Sequence, residues 1–456
     1  MMLALTLGAL LLMQAPPDGG PVVKETKISE WKDPDWSATT GFLVSPDGSR
    51  VAHARCGKGD CKLFVSGREP KEYRLKGTVS LMNAKWSRDS RRIAFRNLTK
   101  AGEKIAVDGV AGPQFESADL NNATFSEDGS RFVYLGTRGD KTHIVVDGKE
   151  GPAVGDPETP IFSPDGKRMA YQTRFDGKYA VVVDGVPQRA YSFVTGLRFG
   201  ADGRLAYSAR DWEEWTIVVD GQEIARFPKR TDSSGSEAWP VPIFSKDGKH
   251  LAWVAPEGEK PTVVVDGKAG KAYDGLGEEL VLHPTDGHAA YIAKDMGKTF
   301  VVNGQDEGKP YNEIHSLTFS PDGSRFGYFA LEGEIWKLVL DGREEPLKGY
   351  PFRLLFGPEG HTLMLVRVGD VEIFLDGKSQ GIYARAGTAA FSPDGKHWAV
   401  ATEQGDVVLD GKEKTGYKEI ICETAEKPGC VFFHDGVLRF TAHKEDKSVV
   451  MVEWPL

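Results

Sequence analysis

Basic stripes, apolar runs of membrane-spanning length and familiar catalytic motifs are all missing from this 456-residue chain, and each absence narrows what it can be. Acidic and basic residues are interspersed and the formal net charge is −9. Nucleic acid, which needs clustered positive charge, is therefore not an expected partner. The apolar run from Leu3 to Met13 is too short for a bilayer but has the length of a signal h-region. Residues 1–15 read as a signal peptide cut after Ala15, and 16–23 as a linker. No Lys or Arg precedes the run, and Pro16 would follow the cut. The expectation is an exported, periplasmic or extracellular protein with no transmembrane segment in the mature chain.

No G-x-S-x-G nucleophile elbow is present, and Gly235–Ser236 lies in a polar loop. The ten His show neither H-E-x-x-H nor another metal-binding spacing. No run of alternating Asp offers the oxygen ligands calcium needs. No metal, no cofactor and no enzyme activity are expected on these grounds. Cysteine is scarce: four residues in two local pairs. Cys56 and Cys61 flank GKGD, and Cys422 and Cys430 bracket ETAEKPG. Two short-loop disulfides in an oxidising compartment fit this arrangement. Free thiols or one four-Cys zinc site are the alternatives, and the spacings lack the short knuckles zinc favours.

What the chain does have is Gly (53) and Pro (26), together with many Val, Phe, Tyr and Trp, so its composition leans all-β. It also repeats itself. FSPDG stands at Phe162, Phe319 and Phe391, with near-copies at Val44, Phe125, Phe199, Phe244 and Phe356. The acidic residues of these turns run Asp47, Asp89, Asp128, Asp165, Asp202, Asp247, Asp286, Asp322, Glu359, Asp394 and Asp435, spaced 35 to 45 residues apart. Such a period means a solenoid or a propeller. Within each unit an apolar run ends in the first turn, and a second strand and a polar loop follow. A third strand such as KYAVVVDG then closes on a second Asp-Gly turn and leads to a short fourth segment. Asp-Gly between β-rich runs is a strong hairpin signal. The consecutive valines of the third strand require cover on both faces, as stacked four-stranded blades provide.

FSPDG followed by a KRMAY-type strand resembles the WD40-like repeat of bacterial TolB-type propellers, from about residue 25 to the end. The Trp-Asp dipeptide of that family is replaced by VVVDG, and the α/β domain of TolB has no counterpart. The resemblance implies an all-β propeller of about eleven four-stranded antiparallel blades over residues 24–456. They would form one large closed ring, or two rings of about five and six blades meeting near 228–241. It also implies a platform for protein binding, with enzymes the exception. The last unit supplies only three strands, and Lys24–Trp31 resembles a fourth strand that would complete it.

Two kinds of loop can be told apart. The Asp-Gly turns are nearly uniform, whereas the other connections vary in length and charge. Recognition is expected on the variable ones, because binding residues tend to sit on loops held by a rigid scaffold. The candidates there are Trp212, Glu213, Glu214 and Trp215 in RDWEEW, Trp239 in the insert, His315 and Arg353. Exposed Trp among charges has the composition of a binding hot spot, whereas packing between blades would bury it. The function expected is a non-enzymatic, exported binding or scaffold platform for a protein or cell-envelope polymer. The alternative is a propeller hydrolase or lyase whose site assembles from residues before the first strands: Asn122, Glu158, Glu279, His315 and Arg353. The tripeptide Arg138–Gly139–Asp140 reads as an ordinary polar hairpin loop.

Overall fold

The computed structural model describes residues 11–13, 23–29, 42–57, 59–67, 70–229, 240–257, 260–414, 417–421, 430–446 and 448–456. Among them are eleven antiparallel sheets and one 3-10 turn, Pro358–Gly360, with no helix long and apolar enough to cross a membrane. Ten sheets have four strands joined in chain order, as the repeat requires. Numbered from Phe42, blade 4 is typical: Ile161–Phe162, Met169–Phe175, Lys178–Val183 and Val186–Tyr191. The chain is therefore all-β and built of propeller blades. Contacts divide it into two compact units, residues 1–121 with 380–456, and residues 122–379. The insert at 228–241 falls inside the second unit, and residues 230–239 of it are outside the described residues.

Within the second unit the first strands of successive blades lie against one another, as Gly275–Leu282 of blade 7 does against Glu313–Phe319 of blade 8. The faces of neighbouring sheets share a core. Ala170, Val181 and Tyr191 of blade 4 pack with Val194, Leu205 and Tyr207 of blade 5. Val181, the first of its valine run, is fully buried. The Asp184–Gly185 turn has φ of 51° and 82°, the doubly positive geometry of a type I′ hairpin.

The repeated pentapeptide forms a latch. In blade 4 the Ser163 hydroxyl donates to Asp165 Oδ1 at 2.6 Å and accepts the Arg168 N–H at 2.9 Å. Asp165 Oδ1 also accepts the Lys167 N–H at 3.2 Å. The third-strand Asp184 accepts the Met169 N–H at 2.8 Å, so both turns of the blade are tied to its second strand. An arginine then reaches outward. Arg168 donates to the Gly203 carbonyl in the next blade's turn at 2.8 Å, and its guanidinium lies 5.5 Å from the Phe199 ring. Arg204 does the same to Gly248 and Phe244, and Arg325 donates to Gly360 at 2.8 Å. Where all five are present, as in blades 4 and 8, Phe, Ser, Asp, Gly and Arg thus have separate tasks, and blades 6, 7, 9 and 10 carry His250, His288, His361 and His397 in place of the arginine.

Blade 11 is made from both ends of the chain. Lys24–Ser29 pairs antiparallel with Val449–Pro455, with Glu25 opposite Val452, and Leu11–Met13 pairs in turn with Lys24–Ser29. Glu30 and Trp31 of the expected strand, most of the expected signal peptide and the linker up to Pro21–Val22 lie outside the described residues. A second blade-to-blade bond confirms the strand's place in the repeat. Tyr191 donates to Glu223 of the next blade, Tyr273 to Glu307 and Tyr311 to Glu344, at 2.8 to 2.9 Å. Tyr417 of blade 10 donates to Glu25 at 2.7 Å, so Glu25 fills the fourth-strand role in blade 11. Lys444 closes on the same carboxylate at 2.6 Å.

The expected disulfide in blade 1 is formed: Cys56 and Cys61 are paired across the hairpin with Cα atoms 4.1 Å apart. Cys430 is disulfide-bonded as well, and Cys422, its expected partner, lies outside the described residues.

Two outcomes follow. Deleting Lys24–Ser29 leaves the Val449–Pro455 edge unpaired, so calorimetry should show a broadened, less cooperative melt or aggregation. Glu25→Ala should cost about 1.5–3 kcal/mol in urea unfolding, the range for hydrogen bonds to a charged group. The latch also sets an acid limit. The Ser hydroxyls and then the backbone N–H groups hold Asp165, Asp247 and Asp322 at about 2, below their ordinary 3.8. A carboxyl with a depressed folded pKa adds stability above its unfolded value and loses it as pH falls through the folded one. The urea midpoint should therefore drop between about pH 4 and pH 2, and the triple change Ser163→Ala, Ser245→Ala, Ser320→Ala should flatten that drop.

Candidate functional site

In a meander of four strands the Asp-Gly turns share one end of each blade. The hairpin between the second and third strands opens at the other. In blade 5 that hairpin joins Leu205–Asp211 to Glu214–Val219, with Asp211 opposite Glu214 and only Trp212 and Glu213 between them. Trp212 is 87% exposed and has φ of 56°. A bulky residue at positive φ is a genuine outlier, since Asn, Asp or Gly would sit there without strain. Glu213 and Glu214 are exposed beside it.

The expectation that both tryptophans are exposed holds for Trp212 alone. Trp215 is 1% exposed, opposite Arg210, edge-on to Phe193 at 6.0 Å and with the Arg210 guanidinium 5.6 Å from its ring. It is core. The tight turn ends at Glu214, and the next side chain along a strand points to the opposite face. Trp239 lies outside the described residues. His315 and Arg353 stand on the first strands of blades 8 and 9, away from the blade 5 hairpin, so the predicted set does not form one site.

His315 is half-buried among Trp336, Phe329 and Tyr350, with ring centroids 4.9, 5.5 and 5.7 Å away. Burial lowers its pKa, and its Nδ1 lies 2.9 Å from the Ser316 hydroxyl. Arg353 is half-buried at a bulge opposite Leu365. Of the other residues expected before the first strands, Asn122 and Glu279 also lie on those strands and bond from blade to blade, and only Glu158 precedes its strand. Glu279 accepts the Ser316 and Leu317 N–H groups at 2.8 and 2.7 Å, and Thr159 donates to Asn122. Glu158 accepts from Gln172 at 3.1 Å. Arg138 of the RGD tripeptide is held by both oxygens of Glu150 at 2.7 and 2.6 Å.

Sequence reading missed two residues that belong with Trp212. Phe175 in blade 4 and Met296 in blade 7 occupy the same second-to-third-strand hairpin and are 72% and 82% exposed. Met296 also has positive φ, 47°, and its N–H is fixed on Asp274 at 2.8 Å. Aligning the hairpins of the repeats would have found both. It also missed a cluster of His283, Asp286 and His288, whose ligand atoms lie within 4.8 Å of one another.

Stability separates the two tryptophans. Trp215→Ala should cost about 3–5 kcal/mol, the range for emptying a core aromatic. Trp212→Gly should leave the urea midpoint unchanged or raise it, because a strained backbone relaxes with no packing lost.

No family model matches the chain, and no curated protein matches it. Among solved structures it is similar to TolB from Acinetobacter baumannii, at 16% identity over 51% of this chain and 64% of that one, TM-score 0.26. It is also similar to the Dos1 propeller, at 12% identity over 63% and 90%, TM-score 0.30. A third is the dihydro-heme d1 dehydrogenase NirN, at 15% over 71% and 77%, TM-score 0.32. The chain thus spans less than two thirds of the TolB structure. Its own eleven sheets make it a β-propeller protein, with repeats similar to those of WD40-like and TolB propellers.

Proposed function

We propose that the protein is an exported, non-enzymatic propeller that binds a protein or a cell-envelope polymer through the variable hairpins of blades 4, 5 and 7. The observation that carries this is the exposure of Phe175, Trp212 and Met296 at one kind of hairpin, on the same end of their blades. Exposed aromatic and Met side chains are what interface cores are enriched in. Two of the three also hold an unfavourable backbone conformation, which is retained where function requires it. Glu213 and Glu214 beside Trp212 supply the polar rim. The Cys56–Cys61 disulfide fits an oxidising compartment and so supports export. Asn122 and Glu279, considered for a channel site, are already engaged in holding neighbouring blades together, which favours binding over catalysis.

The test is capture from envelope extract by the full chain. Trp212→Ala and Met296→Ala should each weaken binding by about tenfold or more, with melting unchanged, since an exposed anchor contributes about 2 kcal/mol. Lys167→Ala and Lys396→Ala, at the uniform turns, should bind as the native chain does. Loss of binding in the lysine variants with retention in the Trp212 and Met296 variants would place recognition at the other end of the blades.

A further inference from the structure

We infer that the first turn of blade 7 binds a divalent transition ion, Zn²⁺ in type, through His283 Nδ1, Asp286 and His288 Nδ1. The inference starts from a break in the repeat. His283 stands where blades 4, 6 and 8 have Ser163, Ser245 and Ser320, as its N–H bonded to the His288 carbonyl shows. His288 stands where blade 4 has Arg168. Elsewhere that residue pairs with the third-strand Asp, as His250 does with Asp266 at 2.7 Å and Arg325 with Asp341 at 2.9 Å. Blade 7 has Asn303 there, its Oδ1 buried without a partner. His288 Nδ1 turns instead to Asp286 Oδ1, at 2.6 Å.

The protonation pattern is that of a metal ligand. His283 Nε2 lies 2.9 Å from the Gly323 carbonyl, so Nε2 carries the proton and takes over the blade-to-blade bond that arginine makes elsewhere. Nδ1 is left with its lone pair, which also accepts the Asp286 N–H at 3.2 Å. Yet this lone pair faces Asp286 Oδ1 at 3.0 Å. A lone pair against a carboxylate oxygen repels unless a cation, either a proton or a metal ion, is shared between them. A ligand His whose other ring nitrogen is fixed on a backbone carbonyl is the usual second-shell arrangement of metal sites. The two rings are stacked at 4.7 Å, and Phe319 lies edge-on to both at 5.2 and 5.4 Å, so the donors are held in place before any ion arrives. Two imidazoles and one carboxylate suit zinc-like ions and offer too few oxygens for calcium or magnesium. All three ligands belong to one turn, at the opposite end of blade 7 from Met296.

The experiment uses the full chain without a histidine tag, freed of metal by a chelator and titrated with Zn²⁺ alone against a chromophoric competitor. One equivalent should bind to the native chain. His288→Ala and Asp286→Asn should each lose at least about tenfold in affinity. His397→Ala, which removes a His–Asp pair in blade 10, should leave stoichiometry and affinity as they were. Because His283→Ala could unseat the turn, His288→Ala is read together with its melting curve, which should match the native apo chain. Absence of binding by the native chain overturns the inference. So does undiminished binding by the double variant His288→Ala, Asp286→Asn.

Discussion

In blades 4, 5 and 8 an arginine that leaves one blade's turn and ends on the next holds the repeats in step. Each sheet could form its own hairpins from local hydrogen bonds, but local bonds do not align one blade with another. Arg168, Arg204 and Arg325 each join a carbonyl in the neighbouring turn, and Arg168 and Arg204 also cover the neighbouring Phe ring. Donor and acceptor are fixed by turns of one shape, so the turn sequence has little room to vary. A Cβ at Gly48 would come within 2.7 Å of the Phe432 ring in the adjacent blade, which shows how closely the turns approach one another. The tyrosine-to-glutamate bonds of the fourth strands repeat this linkage at the outer rim.

These constraints leave the opposite end of each blade free. The second-to-third-strand hairpins differ at their tips from blade to blade, and some bond to the neighbouring segment beside the tip, as Arg189 of blade 4 does to Asp211 and the Met296 N–H does to Asp274. Polar tips such as Gly139–Asp140 and apolar ones such as Trp212 are carried on the same backbone. A strained Trp is tolerated there because the strands below it are already fixed by their ladders.

The fold was legible because its signals are local. Asp-Gly turns, alternating strands and a regular period depend only on residues close in sequence, and the closing strand declared itself through its likeness to a fourth strand. The site was less so. Trp212 and Trp215 read alike in RDWEEW, and only the register set by a two-residue turn turns one outward and one into the core. Phe175 and Met296 look unremarkable in their own segments and gain meaning from lying at the same hairpin of their repeats, Phe175 at the end of the second strand and Met296 in the turn. His283 and His288 match no helical metal spacing, because they are brought together by a turn. Their signal in the sequence is His283, which stands where most other blades carry serine, together with Asn303 in place of the third-strand Asp that pairs with His250 in blade 6.

Pairing Lys24–Ser29 with Val449–Pro455 also orders events in time. A ribosome releases the first of these strands long before the second exists. Ten blades can assemble behind it while it waits without its partner, and the eleventh can form only when nearly the whole chain has emerged. Any pause or premature stop in translation therefore yields a stack with an open seam, in which Glu25 and Tyr417 have not met. Every fragment that stops short of Val449 lacks this strand pair, whatever else it lacks, so the open edge is a mark common to all of them.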